Sequence, residues 1–126
     1  IMSNIMTRDL IFKDYRGVFL RRKTVTAASN AATLRNAVRT QVTSESLTTA
    51  AGATYMLTLT NNLIATDSFV HVTVKLGTAT TGMPVVTTVT PAAGSVVIIV
   101  QNIHASADLN GTIVLDVVLV RNSPAQ

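Results

Sequence analysis

The chain reads as an all-β protein: an antiparallel β-sandwich, expected to be wound as a jelly roll, behind an extended N-terminal arm. Three observations lead there. Thr and Val, which suit a pleated and half-buried surface, number 20 and 17 of the 126 residues. Apolar and polar side chains alternate with period two over several segments. Turn residues punctuate those segments at intervals of about 8–15 residues, the spacing of sandwiches and barrels.

Residues 1–23 form the arm. Arg8, Lys13, Arg16, Arg21, Arg22 and Lys23 are interleaved there with Leu10, Phe12, Tyr15 and Phe19. Disordered tails are poor in bulky apolar groups, so this one is equipped either to dock as an extended strand beside a partner or to serve as the domain's first strand or two. Residues 1–39 hold eight of the ten basic groups and two of the six acidic ones, a balance of +6, and the rest of the chain sums to −2. The arm is thus a separate electrostatic object from the body, residues 24–126.

Residues 24–41 leave two readings open. Leu34, Ala37 and Val38 share one helical face that Ser29 or Asn30 could cap, and an extended crossing fits equally. From Val42 onward the pattern is β. Residues 42–48 read as strand and residues 49–52 as a turn. In the next segment Tyr55, Leu57 and Leu59 alternate against Met56, Thr58 and Thr60. After a turn at 61–67, Val70, Val72, Val74 and Leu76 form a core face opposite Phe69, His71, Thr73 and Lys75. Residues 77–84 read as a flexible loop, and 85–90 as a strand stopped by Pro91. A hairpin-like pair follows, with a β-branched run at 96–100 and a second strand at 113–120 opened by Asn110-Gly111. These are six strands, and one or two from the N-terminal third would reach the eight of a jelly roll.

Charged residues make only 13% of the chain, about half the usual share. None occurs between Lys75 and Asp108. Depletion of charge marks interface cores, so another chain is expected to cover part of this surface. There is no cysteine, which excludes disulfides, zinc-thiolate sites and thiol nucleophiles. No run of 18 apolar residues and no signal-peptide pattern is present, so the expectation is a soluble protein made in the cytoplasm.

Groups able to move protons near neutral pH are few. His71 sits mid-strand opposite the valine face, and His104 lies in a loop near Asp108 without zinc-like spacing. Asp116 interrupts an apolar strand, where pairing with Lys75 or contact with a neighbouring subunit would offset its desolvation. Ser44-Glu45-Ser46 has no adjacent histidine to activate a serine. Residues 77–82 have the outer glycines of a phosphate loop, but Met83-Pro84 stands where Lys-Ser/Thr is required. Asn110-Gly111-Thr112 reads as a tight turn rather than a glycosylation site. The reading is of a non-enzyme with no catalytic or metal-binding residues and no cofactor. Phe12, Tyr15 and Phe19 could stack on bases, but no sheet motif for reading RNA accompanies them, and the reading is against nucleic acid as a partner.

Over residues 42–121, the Thr/Val/Ala/Gly strands, the Pro91-Ala92-Ala93-Gly94-Ser95 turn and the Leu109-Asn110-Gly111-Thr112 turn resemble the capsid cement or decoration proteins of tailed bacteriophages. The resemblance implies a structural virion protein with a jelly-roll body, bound to the outside of the capsid, bridging neighbouring capsomers through the major capsid protein and self-associating as a dimer or trimer. Within that expectation Phe12, Tyr15, Arg16, Phe19, Arg21, Arg22 and Lys23 are the capsid-binding arm, and Thr58, Thr60, Thr87 and Thr88 the contact with a sister copy. The alternative is a tail fibre or spike head domain that binds host glycan, for which the absence of Trp leaves only Tyr55 and Phe69 as stacking groups in the body.

Overall fold

A computed structural model describes residues 22–120. Its strands are β1 (Lys23–Thr26), β2 (Ala31–Leu34), β3 (Arg39–Thr43), β4 (Thr54–Asn61), β5 (Phe69–Leu76), β6 (Pro84–Ala92), β7 (Ser95–Asn102) and β8 (Ile113–Val120). They form two four-stranded sheets, β1-β3-β8-β5 (sheet 1) and β2-β4-β7-β6 (sheet 2). The chain is all-β, a two-sheet sandwich. Only β6 and β7 are consecutive within one sheet; every other connection passes from one sheet to the other.

Four of the six pairings are antiparallel, whereas β1 with β3 and β2 with β4 run parallel. Each parallel pair is linked through a short strand of the opposite sheet, so the chain returns in its starting direction. These mixed sheets make the sandwich, and the strand orders do not themselves establish the antiparallel Greek keys of a jelly roll.

No helix occurs among the described residues, so of the two readings of 24–41 the extended crossing holds. Ser29 and Asn30 both adopt left-handed φ (50° and 66°) and turn the chain sharply from β1 into β2. Ala28 and Ala31 close that turn with reciprocal backbone hydrogen bonds of 2.9 and 3.0 Å. The strand expected to run on from Val42 ends at Thr43. Beyond it the chain still follows β8, with Ser44 N donating to Ile113 O (2.9 Å) and Leu47 N to Gly111 O (2.8 Å).

Two further expectations are corrected. Pro91 does not stop its strand, because β6 is an edge strand and proline's missing N–H is tolerated at a sheet edge. The segments 96–100 and 113–120 are not a hairpin; β7 and β8 are interior strands of different sheets. Their alternate residues Val96, Ile98, Val100 and Ile113, Leu115, Val117 enter one core with Val42, Leu57, Leu59 and Leu109. Each such side chain contributes about 1.5–3 kcal/mol by leaving water. The hairpin within sheet 2 is β6–β7, closed by Gly94 at φ 82°.

Residues 77–82, expected to be flexible, are tied to the turn before β8. Asn110 Oδ1 accepts from Thr80 N (2.8 Å) and Thr81 N (3.0 Å), and Thr78 and Thr112 exchange backbone-to-hydroxyl bonds of 2.9 Å each. Gly111 sits so close to this loop that an added Cβ would lie 2.8 Å from Ala79 N.

Candidate functional site

The two outer faces of the sandwich differ in chemistry. On sheet 2, register aligns Met56, Ile99 and Thr88 in one row across β4, β7 and β6. Ala31, Thr58, Val97 and Thr90 form the next row, and Thr33, Thr60, Ser95 and Ala92 the one after. No Asp, Glu, Lys or Arg occurs anywhere in β2, β4, β6 or β7. Met56, Met83, Val85 and Ile103 are all exposed, and Ile103 N donates to Met83 O (2.9 Å), which joins the ends of β7 and β6 beside Val85. The face is therefore uncharged, with an apolar end. Three strands of eight or nine residues and one of four, at the usual strand spacing and rise, cover about 500 Å².

The four threonines expected to meet a sister copy all lie on this sheet. Thr58 is half-buried, and Thr60, Thr87 and Thr88 are exposed. Thr87 is the extra residue of a bulge between Val86 and Thr88, and its hydroxyl donates to Ile99 O at 3.2 Å. Sheet 2 thus brings together residues that lie up to 30 positions apart in sequence.

Sheet 1 is the charged layer. Arg39 on β3 holds Asp116 on β8 in a two-pronged ion pair, Nε to Oδ1 at 3.3 Å and Nη2 to Oδ2 at 3.0 Å. The hydrogen bonds and charge of Asp116 raise the Arg39 pKa further above its ordinary value. Of the two expectations for Asp116, pairing with Lys75 or contact with a neighbouring subunit, the first does not hold within the chain: register puts Gln41 and Thr73 beside Asp116 and sets Lys75 against Val114. Lys75 still lines the same depression, together with Arg22, Arg39 and Asp116, so three cations surround one carboxylate there.

Of the expected arm residues, Phe12, Tyr15, Arg16, Phe19 and Arg21 lie outside the described residues. Arg22 is exposed at the rim of that basic depression, and Lys23 opens β1, its Nζ donating to Arg35 O at 2.7 Å. Lys23, the first residue of β1, therefore lies at the edge of sheet 1, on the layer opposite the uncharged face.

Two polar constellations were not singled out from the sequence. Glu45 accepts from Tyr55 Oη at 2.5 Å and from Asn30 N at 2.7 Å. Burial acts to raise the Glu45 pKa, but these hydrogen bonds outweigh it and hold the group below its usual range; burial and then Glu45 itself push the Tyr55 phenol up. Tyr55 is a core residue at 5% exposure, so it offers no surface for stacking a sugar. Asn102, with no exposure, accepts from Met83 N (2.9 Å) and His104 N (3.1 Å) and donates to Thr49 O (3.2 Å) and Ala107 O (2.9 Å). Both arrangements staple loops. His104 Nδ1 likewise accepts from Ser106 N and Ala107 N at 3.0 and 2.9 Å. No three potential metal-ligating side chains cluster among the described residues.

The chain matches no family model, no curated protein and no solved structure. Its function has to be read from the two faces themselves.

Proposed function

We propose that this chain is a structural virion protein of the capsid-decoration type, binding the outer surface of an assembled phage shell and bracing neighbouring capsomers. The supporting observation is the ion-free outer face of sheet 2, set opposite a basic layer that carries the root of the arm. A face without charge can be buried without stranding an ion in a low-dielectric interface, which suits a permanent protein contact. The capsid as partner comes from the resemblance of residues 42–121. The arm and the basic depression suit an acidic shell surface.

About 500 Å² is less than the roughly 800 Å² per partner of a standard interface, so one sandwich face alone would hold weakly. The arm adds area, and repetition over a symmetric shell multiplies a modest affinity through avidity.

Co-sedimentation of the full chain with empty mature shells tests the reading. Stoichiometric pelleting that weakens when residues 1–21 are deleted is the expected result. No pelleting at low or moderate salt, with retention on host-surface glycan instead, would favour the fibre-head alternative.

A further inference from the structure

The sandwich has four sheet edges, and three are blunted. β1 and β2 are four residues long, and β6 carries Pro84, Pro91 and a bulge. Short strands, prolines and bulges are the usual defences of an edge against pairing. β5, the remaining edge, runs for eight residues without proline, glycine or register shift.

Its free backbone groups can be located. Leu119 N donates to Val38 O and Ser44 N to Ile113 O, so the odd-numbered residues of β8 bond toward β3; Gly77 N donates to Thr112 O, which puts the even-numbered residues toward β5. Hydrogen-bonded pairs alternate along an antiparallel ladder. Phe69, His71, Thr73 and Lys75 therefore direct their backbone groups at β8, and Val70, Val72, Val74 and Leu76 direct theirs outward. No strand among the described residues takes them up.

We infer that β5 pairs with β5 of a second copy, antiparallel about a twofold axis through Val72, joining the two copies of sheet 1 into one continuous eight-stranded sheet. The axis position follows from the side chains. Centred on Val72, the pairing opposes Val70 to Val74 on the inner side and, on the outer side, His71 to Thr73 and Phe69 to Lys75. Phe69, 69% exposed in the single chain, gains cover and a cation over its ring. Centring on Thr73 would oppose His71 to Lys75, two basic groups, and centring on His71 would shorten the ladder. The axis stands perpendicular to sheet 1, so both copies of sheet 2 lie on the same side, and the dimer offers about 1,000 Å² of uncharged surface facing one way. The inference rests on edge geometry and does not depend on the capsid reading.

Light scattering on the full chain should give the mass of two subunits. Val72→Pro removes one outward N–H and no bond to β8, and should weaken association at least tenfold. Because that proline could also disturb packing, a second variant reads the register directly. His71 and Thr73 are exposed on the outer side, so the double variant H71C/T73C should oxidise to a covalent dimer between closely opposed positions, and neither single variant should do so. A monomeric chain, a dimer undiminished by V72P in a folded protein, cross-linking of a single variant, or a dimer abolished only by deleting residues 1–21 would each overturn the inference, the last by making the arm the occupant.

Discussion

Replacing Asn102 by alanine should cost this domain about 3–5 kcal/mol. The side chain is fully buried at the end of β7 and makes four hydrogen bonds, to Met83 N, His104 N, Thr49 O and Ala107 O. Truncation leaves Met83 N, His104 N and Ala107 O without their mate, whereas Thr49 O keeps its bond from Leu109 N (2.9 Å), and an orphaned buried group costs about 1–3 kcal/mol. The partners sit at the rim of the sandwich, where water reaches some of them, which brings the sum toward the low end; the vacated volume adds to it. A domain of this size has on the order of 5–10 kcal/mol in total, so the variant should lose about a third of its stability or more. Urea unfolding followed by tyrosine fluorescence and circular dichroism is the assay. With a slope of about 1.5 kcal/mol/M, the midpoint should fall by about 2–3 M. Asn62→Ala is the control: its two bonds to Asn36 are exposed, and it should cost less than about 1 kcal/mol. A loss below about 1 kcal/mol for N102A, or equal losses for the two variants, would refute the view that this amide clamps the three loops.

Other outcomes follow from the same geometry. Gly111→Ala should cost about 1–3 kcal/mol in thermal or urea unfolding, since the new Cβ meets the Thr78 hydroxyl and also backbone at Ala79, which cannot swing away. The Glu45 pKa is lowered from 4.5, so its contribution is present above that value and lost as pH falls through the folded value. Wild-type stability should therefore decline as pH drops below 4.5, and Glu45→Gln should flatten the acid limb of stability against pH. The Tyr55 pKa is raised from 10.0, so stability held by the neutral phenol is present below pH 10.0 and lost above it; Tyr55→Phe should flatten the alkaline limb. Thr60→Lys with Thr88→Lys places two charges on exposed positions of the ion-free face, and should leave stability within about 0.5 kcal/mol while lowering the fraction that pellets with shells.

Much of the strand content was legible because period two is a local property. Tyr55, Leu57 and Leu59 alternate with threonine and methionine, and they are the hydrophobic residues that β4 buries. Val70, Val72 and Val74 likewise pack on the core from β5, although Leu76, at the strand end, is 40% exposed. Residues 24–41 were ambiguous because Leu34, Ala37 and Val38 suit a helix face as well as a crossing. What decides between them is the pairing of β1 with β3 and of β2 with β4, which no local pattern encodes.

The candidate site shows the same division. That charge is missing from residues 76–107 is plain in the sequence, and so is the alternation that turns Thr58 and Thr60 away from the core. Arg39 as the partner of Asp116 was not, since the two lie 77 positions apart and meet through the register of β3 on β8. The buried clamp at Asn102 was equally hidden, because an asparagine near a strand end reads as turn chemistry until the loops around it are in place.

By itself the sequence determined the strand-forming segments from β4 onward, their buried sides, the lack of thiols and the concentration of positive charge in the first 39 residues. Only the tertiary structure decided that β7 and β8 belong to different sheets, that β2 and β4 join β6 and β7 in one ion-free layer, and that β5 is left as the long open edge. The physical reason is that side-chain alternation depends on neighbours two residues away. Which strand supplies the hydrogen-bonding partner depends on the closure of loops and on the fit of the whole core.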